Sequence, residues 1–210
     1  MPTQVRAATL GQSISIGTEP YGEWTQFDNL GDSDNNYCEA NFENNNTLTE
    51  IIHSSGFNFN IPVWAVIDGI TVNIERKSQT ADVVYDEIVQ LIVDGSRTGA
   101  NKKNTTTAWP TTDGTQGYGG AADTWTLSPT VDDINSDIFG VALQPVFEET
   151  YEQPWTQTEL DVDQIEVVVT YSTSNDIRWG PDPVGKIYYK DNEVLKVYWG
   201  SNLIVEKGGG

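Results

Sequence analysis

The sequence predicts an all-β protein, an antiparallel two-sheet sandwich of jelly-roll type that carries a small carboxyl-terminal appendage of β repeats. Three observations predict it. Apolar residues recur at every second position in several runs, which is the period of a half-buried strand. Gly, Asn and Asp clusters separate those runs and supply turn chemistry. Long Leu/Ala/Glu/Lys helical runs are missing from a 210-residue chain whose aromatic content is 10%, so helix should be minor. That length suits one full sandwich core with a remainder too small for a second conventional domain.

Residues 1–30 are expected to form an amino-terminal arm. The opening MPTQVRAATLGQSISIG lacks the apolar core of a secretory signal, and no later segment approaches a membrane span, so export by the usual route is not expected. The sandwich is assigned to 31–172. Its first feature, DSDNNYCEANFE, sets Asp32, Asp34 and Asn36 with Glu43 where a calcium loop would place oxygen ligands. Tyr37 stands where that loop needs Gly, so an Asx-rich turn leading into a strand is the preferred reading.

The clearest strand patterns follow. GFNFNIP alternates Phe57, Phe59 and Ile61 with polar partners, and GITVNIER alternates Ile70, Val72 and Ile74. Pro62 and Asp68-Gly69 between them read as turn residues. VQLIV then ends at Asp94-Gly95, a hairpin turn towards Arg97. Thr98 to Ser128 is rich in Gly, Thr, Asn and Asp and reads as mostly loop with short strands. FGVALQPVF (Phe139 to Phe147) and DVDQIEVVVTY (Asp161 to Tyr171) resume the strand pattern, the second with imperfect alternation.

After a polar linker a repeat of period ten occupies 176–207. KIYYKDNEVL (Lys186 to Leu195) lies over KVYWGSNLIV (Lys196 to Val205), and DIRWGPDPVG (Asp176 to Gly185) is a degenerate first copy. Each copy reads as strand, turn, strand, and none can cover its own apolar face. The repeats therefore need a neighbour: either the sandwich of the same chain or identical tails of other subunits in a closed ring. The second is favoured, as a homo-oligomer with a trimer first, and Tyr188, Tyr189, Tyr198 and Trp199 are the expected contact residues.

Eleven Lys and Arg against thirty-one Asp and Glu give a formal charge of −20, which disfavours nucleic acid and anionic lipid as partners. The single cysteine, Cys38, excludes an intrachain disulfide and suits assembly in a reducing cytoplasm. Catalysis has little to draw on. His53 is the one histidine, with no nucleophile elbow nearby, and one His with one Cys does not make a tetrahedral zinc site. The pairs Glu148-Glu149 and Asp132-Asp133 read as solvated loop charge. Neither a cofactor nor an enzymatic activity is expected. Trp109, Tyr118 and Trp125 could form a sugar-stacking platform, although aromatics in a long loop more often pin that loop to the sandwich.

Three segments, Gly56 to Ser78, Ala108 to Trp125 and Asp133 to Tyr171, resemble together a β-sandwich domain of tailed-bacteriophage virion structural proteins. The closing KIYYKDNEVLKVYWGSNLIVEK is similar to short Tyr- and Gly-containing repeats at the carboxyl termini of phage tail and head-decoration proteins. The resemblance implies a virion protein assembled in the host cytoplasm, with major capsid or tail proteins as partners. A capsid decoration or cement protein is the first expectation. A carbohydrate-binding module of a tail fibre or tail tip is the alternative.

Overall fold

The computed structural model describes residues 1–15, 17, 22–42, 47–148 and 158–173, together with the backbone of short strands between 178 and 206. The chain divides into two units, Met1–Ser172 and Thr173–Gly210. The boundary falls at the predicted linker.

The first unit is an all-β two-sheet sandwich. Its strands are β1 (Thr3–Ala7), β2 (Leu10–Ile14), β3 (Cys38–Phe42), β4 (Ile51–Ser55), β5 (Ala65–Ser78), β6 (Val84–Val93), β7 (Ser96–Thr98), β8 (Gly114–Gly120), β9 (Gly140–Phe147) and β10 (Thr158–Thr173). One sheet runs β1-β10-β5-β8 with β3 also on β10, and the other runs β2-β4-β9-β6-β7. Counting β3 to β10 as eight strands, the first, eighth, third and sixth form one sheet and the second, seventh, fourth and fifth the other. That is the strand order of a jelly roll. Among the described residues helix is confined to a 3-10 turn, Phe27–Leu30, and α1, Val131–Asn135, whose capping box pairs Thr130 with Asp133.

The inward rows follow from period two. Ile70, Val72 and Ile74 of β5 meet Val89 and Leu91 of β6 and Val141 and Leu143 of β9, all fully buried. On β10 the inward row is Leu160 and Val162, then Ile165, Val167 and Val169. The row changes parity at Asp163-Gln164, and the partner changes there too: Thr158–Val162 pair with β3, whereas Glu166–Thr170 pair with β1. An extra residue at this switch explains the imperfect alternation.

Three expectations are corrected. Residues 1–30 are no separate arm, because β1 pairs with β10 and β2 with β4, so the segment adds a strand to each sheet. GFNFNIP buries Phe57, Phe59 and Ile61 but forms no ladder strand. Side-chain amides replace a neighbouring strand: Gln4 Nε2 donates to Asn60 O and Asn60 N to Gln4 Oε1, while Asn135 does the same for Ile61. Asp68-Gly69 is no turn but lies within β5, where Gly69 allows the backbone of Gly120-Ala121 to approach. Asp94-Gly95 does make its turn, both residues at positive φ, and leads from β6 into β7.

One ion pair is sealed between the sheets. Arg76 continues the inward row of β5, and its Nη1 lies 2.6 Å from Asp86 Oδ1 on β6. Asp86 also accepts from Trp109 Nε1 at 2.9 Å, Tyr118 Oη at 2.8 Å and Asn104 N at 3.0 Å. Arg76 further contacts Tyr118 Oη and lies over the Trp109 ring. A buried pair survives desolvation only with its remaining hydrogen-bonding capacity filled, and these neighbours fill the Asp86 side.

The second unit consists of β11 (Arg178–Trp179), β12 (Ile187–Tyr189), β13 (Asn192–Glu193), β14 (Lys196–Trp199) and β15 (Asn202–Glu206). β11, β12 and β13 form one antiparallel sheet, and β14 with β15 forms a hairpin. The residues separating β12 from β13 and β14 from β15 are 190–191 and 200–201, which preserves the period of the repeat.

Candidate functional site

The most chemically concentrated place among the described residues is the outer face of the first sheet. Leu160 and Val162 point inward, so Glu159 and Asp161 share the opposite face of β10. Glu39 of β3 is the register partner of Asp161. One carboxylate oxygen from each of Glu39, Glu159 and Asp161 lies within 4.8 Å of the other two. Contacts with β5 continue the row: Gln79 N donates to Glu159 O, and Lys77 Nζ lies 3.7 Å from Asp161 Oδ2.

Lys77 is shared. It is nearer to Asp113 Oδ1, at 3.3 Å, and its ammonium sits 3.5 Å from the centre of the Tyr37 ring. Tyr37 Oη in turn donates to Asp113 Oδ2 at 2.9 Å. Glu39 is positioned by Gln26, whose Nε2 donates to Oε2 at 2.8 Å. Asp161 is the least solvated member: its side chain is 9% exposed and its Oδ1 accepts no hydrogen bond among the described residues. Burial, then the charge of Glu159, pushes its carboxyl up to about 6, with Glu39 and Asp113 adding to the rise and Lys77 opposing it.

The residues singled out from sequence are placed differently. Asp34 organises an Asx turn, as its Oδ1 accepts from Asn36 N at 3.0 Å and its Oδ2 from Asn36 Nδ2 at 2.8 Å. The backbone N–H groups of Asp34 and Asn35 donate to Asp163. Asp34 and Asn36 therefore serve each other in place of a cation, Asp32 is exposed, and Glu43 lies outside the described residues. The hydrogen bonds of Asp34 are those of the expected Asx turn.

Trp109, Tyr118 and Trp125 are 1%, 5% and 0% exposed. Two of them enclose the Arg76–Asp86 pair, and Trp125 Nε1 donates to Ile70 O at 2.9 Å. None presents a ring face for a pyranose, so a glycan platform made of these three is withdrawn. They pin the long loop instead. Tyr188, Tyr189, Tyr198 and Trp199 lie in paired strands of the second unit, opposite Glu193, Asn192, Leu203 and Asn202; their side chains lie outside the described residues.

His53 lies on the outer face of the second sheet beside a shallow groove of about 590 Å³ that Ile14, Ile51, Ser96 and Arg97 also line. Burial, then the charge of Arg97, lowers its pKa, so it is neutral at pH 7. Cys38 is buried, and burial pushes its thiol up to about 12, out of reach of thiolate chemistry at neutral pH. Asp133 belongs to the α1 capping box, and Glu149 lies outside the described residues. No described helix is long and apolar enough to cross a membrane.

Glu39, Glu159 and Asp161 were not singled out from the sequence. A signal existed in the Glu-Leu-Asp alternation of β10, but the third carboxylate comes from a strand more than a hundred residues away, and only the register brings it there. Comparison with known proteins adds no assignment: no family model, curated protein or solved structure matches the chain.

Proposed function

We propose that this chain is a non-enzymatic structural component of a tailed-phage particle, a decoration or cement protein. Its sandwich would bind the shell and its carboxyl-terminal repeats would join like subunits. The observation that carries the reading is the separate compact unit at 173–210, whose described strands are short and pair with their neighbours in sequence. Hairpins of two to five residues per strand are marginal by themselves in water and need a further apolar surface. Equivalent hairpins of neighbouring subunits would provide one, and several weak contacts made together gain from avidity.

The first unit suits this role. Its interior is filled by side chains and a buried ion pair whose carboxylate is hydrogen-bonded on both oxygens, as befits a load-sharing block, and jelly rolls recur in viral capsids. That last point is an analogy of fold. The acidic surface favours solubility before assembly and a basic partner surface afterwards.

Deletion of 173–210 tests the reading. Sedimentation velocity should find the full chain as an oligomer and the truncated chain as a folded monomer. Equal association states for the two would remove the support for the repeats as the joining element.

A further inference from the structure

We propose that Glu39, Glu159 and Asp161 bind a calcium ion on the outer face of the first sheet. This inference is independent of the assembly role. Calcium takes oxygen ligands at about 2.3–2.6 Å, so two ligands on opposite sides of one ion stand about 5 Å apart. The three carboxylate oxygens, all within 4.8 Å of one another, fit inside one such shell. Magnesium, with bonds of about 2.0–2.1 Å and a strict octahedron, demands a tighter set.

A cluster of acids alone would say little in a chain so rich in them. Asp161 says more. Its side chain is more than nine-tenths buried, yet Oδ1 has no hydrogen-bond partner among the described residues, and buried carboxylate oxygens are costly in that state. The nearby ammonium of Lys77 approaches the other oxygen, Oδ2, and is held more closely by Asp113 and the Tyr37 ring. A cation between Asp161, Glu39 and Glu159 would satisfy Oδ1 and turn mutual repulsion into attraction.

The surroundings suit the ion. Gln26 Nε2 donates to Glu39 Oε2 and so fixes that carboxylate beside the cluster. Glu159 is exposed, so the ion can enter from solvent and complete its shell with water. Three carboxylates and water form a site of extracellular-module strength, with Kd on the order of 0.1–1 mM. The bound ion would tie β3 to β10 beside the point where β10 changes partner.

The test uses the full chain freed of metal by chelation, with thermal denaturation and titration calorimetry. Addition of CaCl2 to about 10 mM should raise Tm by about 3 °C or more over a NaCl control of equal ionic strength, with MgCl2 giving less. Glu159→Gln, at an exposed position that does not threaten folding, should abolish the calcium response and the binding heat. Asp161→Asn should abolish them too, while melting above the metal-free wild type because a buried charge is gone. Asp132→Asn, which removes an exposed carboxylate elsewhere, should keep the full response. A wild type whose Tm in CaCl2 equals the NaCl control, or a calcium response that survives in Glu159→Gln, overturns the proposal.

Discussion

Arg76 continues the same inward row as Ile70, Val72 and Ile74, and parity alone sends its charge into the core. Asp86, ten residues later, meets it there, with Trp109 and Tyr118 closing the pair from the long loop. Removing one partner would strand the other charge, which typically costs about 3–5 kcal/mol. His53 offers a milder, pH-dependent effect. Its pKa in the fold is lowered below the unfolded value of 6.5, so the folded state binds fewer protons in the window below 6.5. Its contribution to stability is therefore complete above that value and declines as pH falls through it. Between about pH 7.5 and about pH 5.5, the wild type should lose more in Tm than His53→Gln, which removes the sole histidine. Parallel Tm profiles for the two proteins would show that His53 titrates alike in both states.

Pairing partners decide what a strand looks like in sequence, and β8 illustrates it. GTQGYGG has few β-formers, yet seven residues pair with β5. Within it, Gly119 has φ +74 and a Cβ there would lie 2.4 Å from Ile70 O, whereas at Gly120 nothing lies within 4 Å. Gly119→Ala should cost about 2–4 kcal/mol by denaturant unfolding, and Gly120→Ala should stay within about 0.5 kcal/mol of wild type. Equal effects would contradict the close approach. The strands legible from sequence are those with at least one face buried throughout, the later part of β5, β6 and β10, together with β9, which is buried on both faces. β1 and β2 were not legible, because mostly exposed strands such as TQVRA carry no alternation. GFNFNIP misled for the opposite reason. It has the alternation of a strand and the burial, but Gln4 and Asn135 supply its hydrogen bonds, and no local pattern announces a long-range amide. The carboxylate site shares this fate, since two members lie in one visible Glu-Leu-Asp step and the third is delivered by register.

At the scale of the whole molecule, the chain is a jelly-roll sandwich followed by a unit of short hairpins. The repeat of period ten was visible at once because the second and third copies keep their aromatic and turn positions, and the described strands within each of those two copies pair as a hairpin. Trp109, Tyr118 and Trp125 of the sandwich, by contrast, serve its interior. The surface of the sandwich carries acidic charge, and under the proposed reading the repeats supply the joining element. The most direct measurement of the proposed assembly role is quantitative mass spectrometry of density-purified phage particles from a lysate in which this chain is expressed. The account predicts the chain in every preparation at a fixed, high copy number relative to the major shell protein. Its recovery only in the soluble lysate, with none retained on intact particles, would contradict the account.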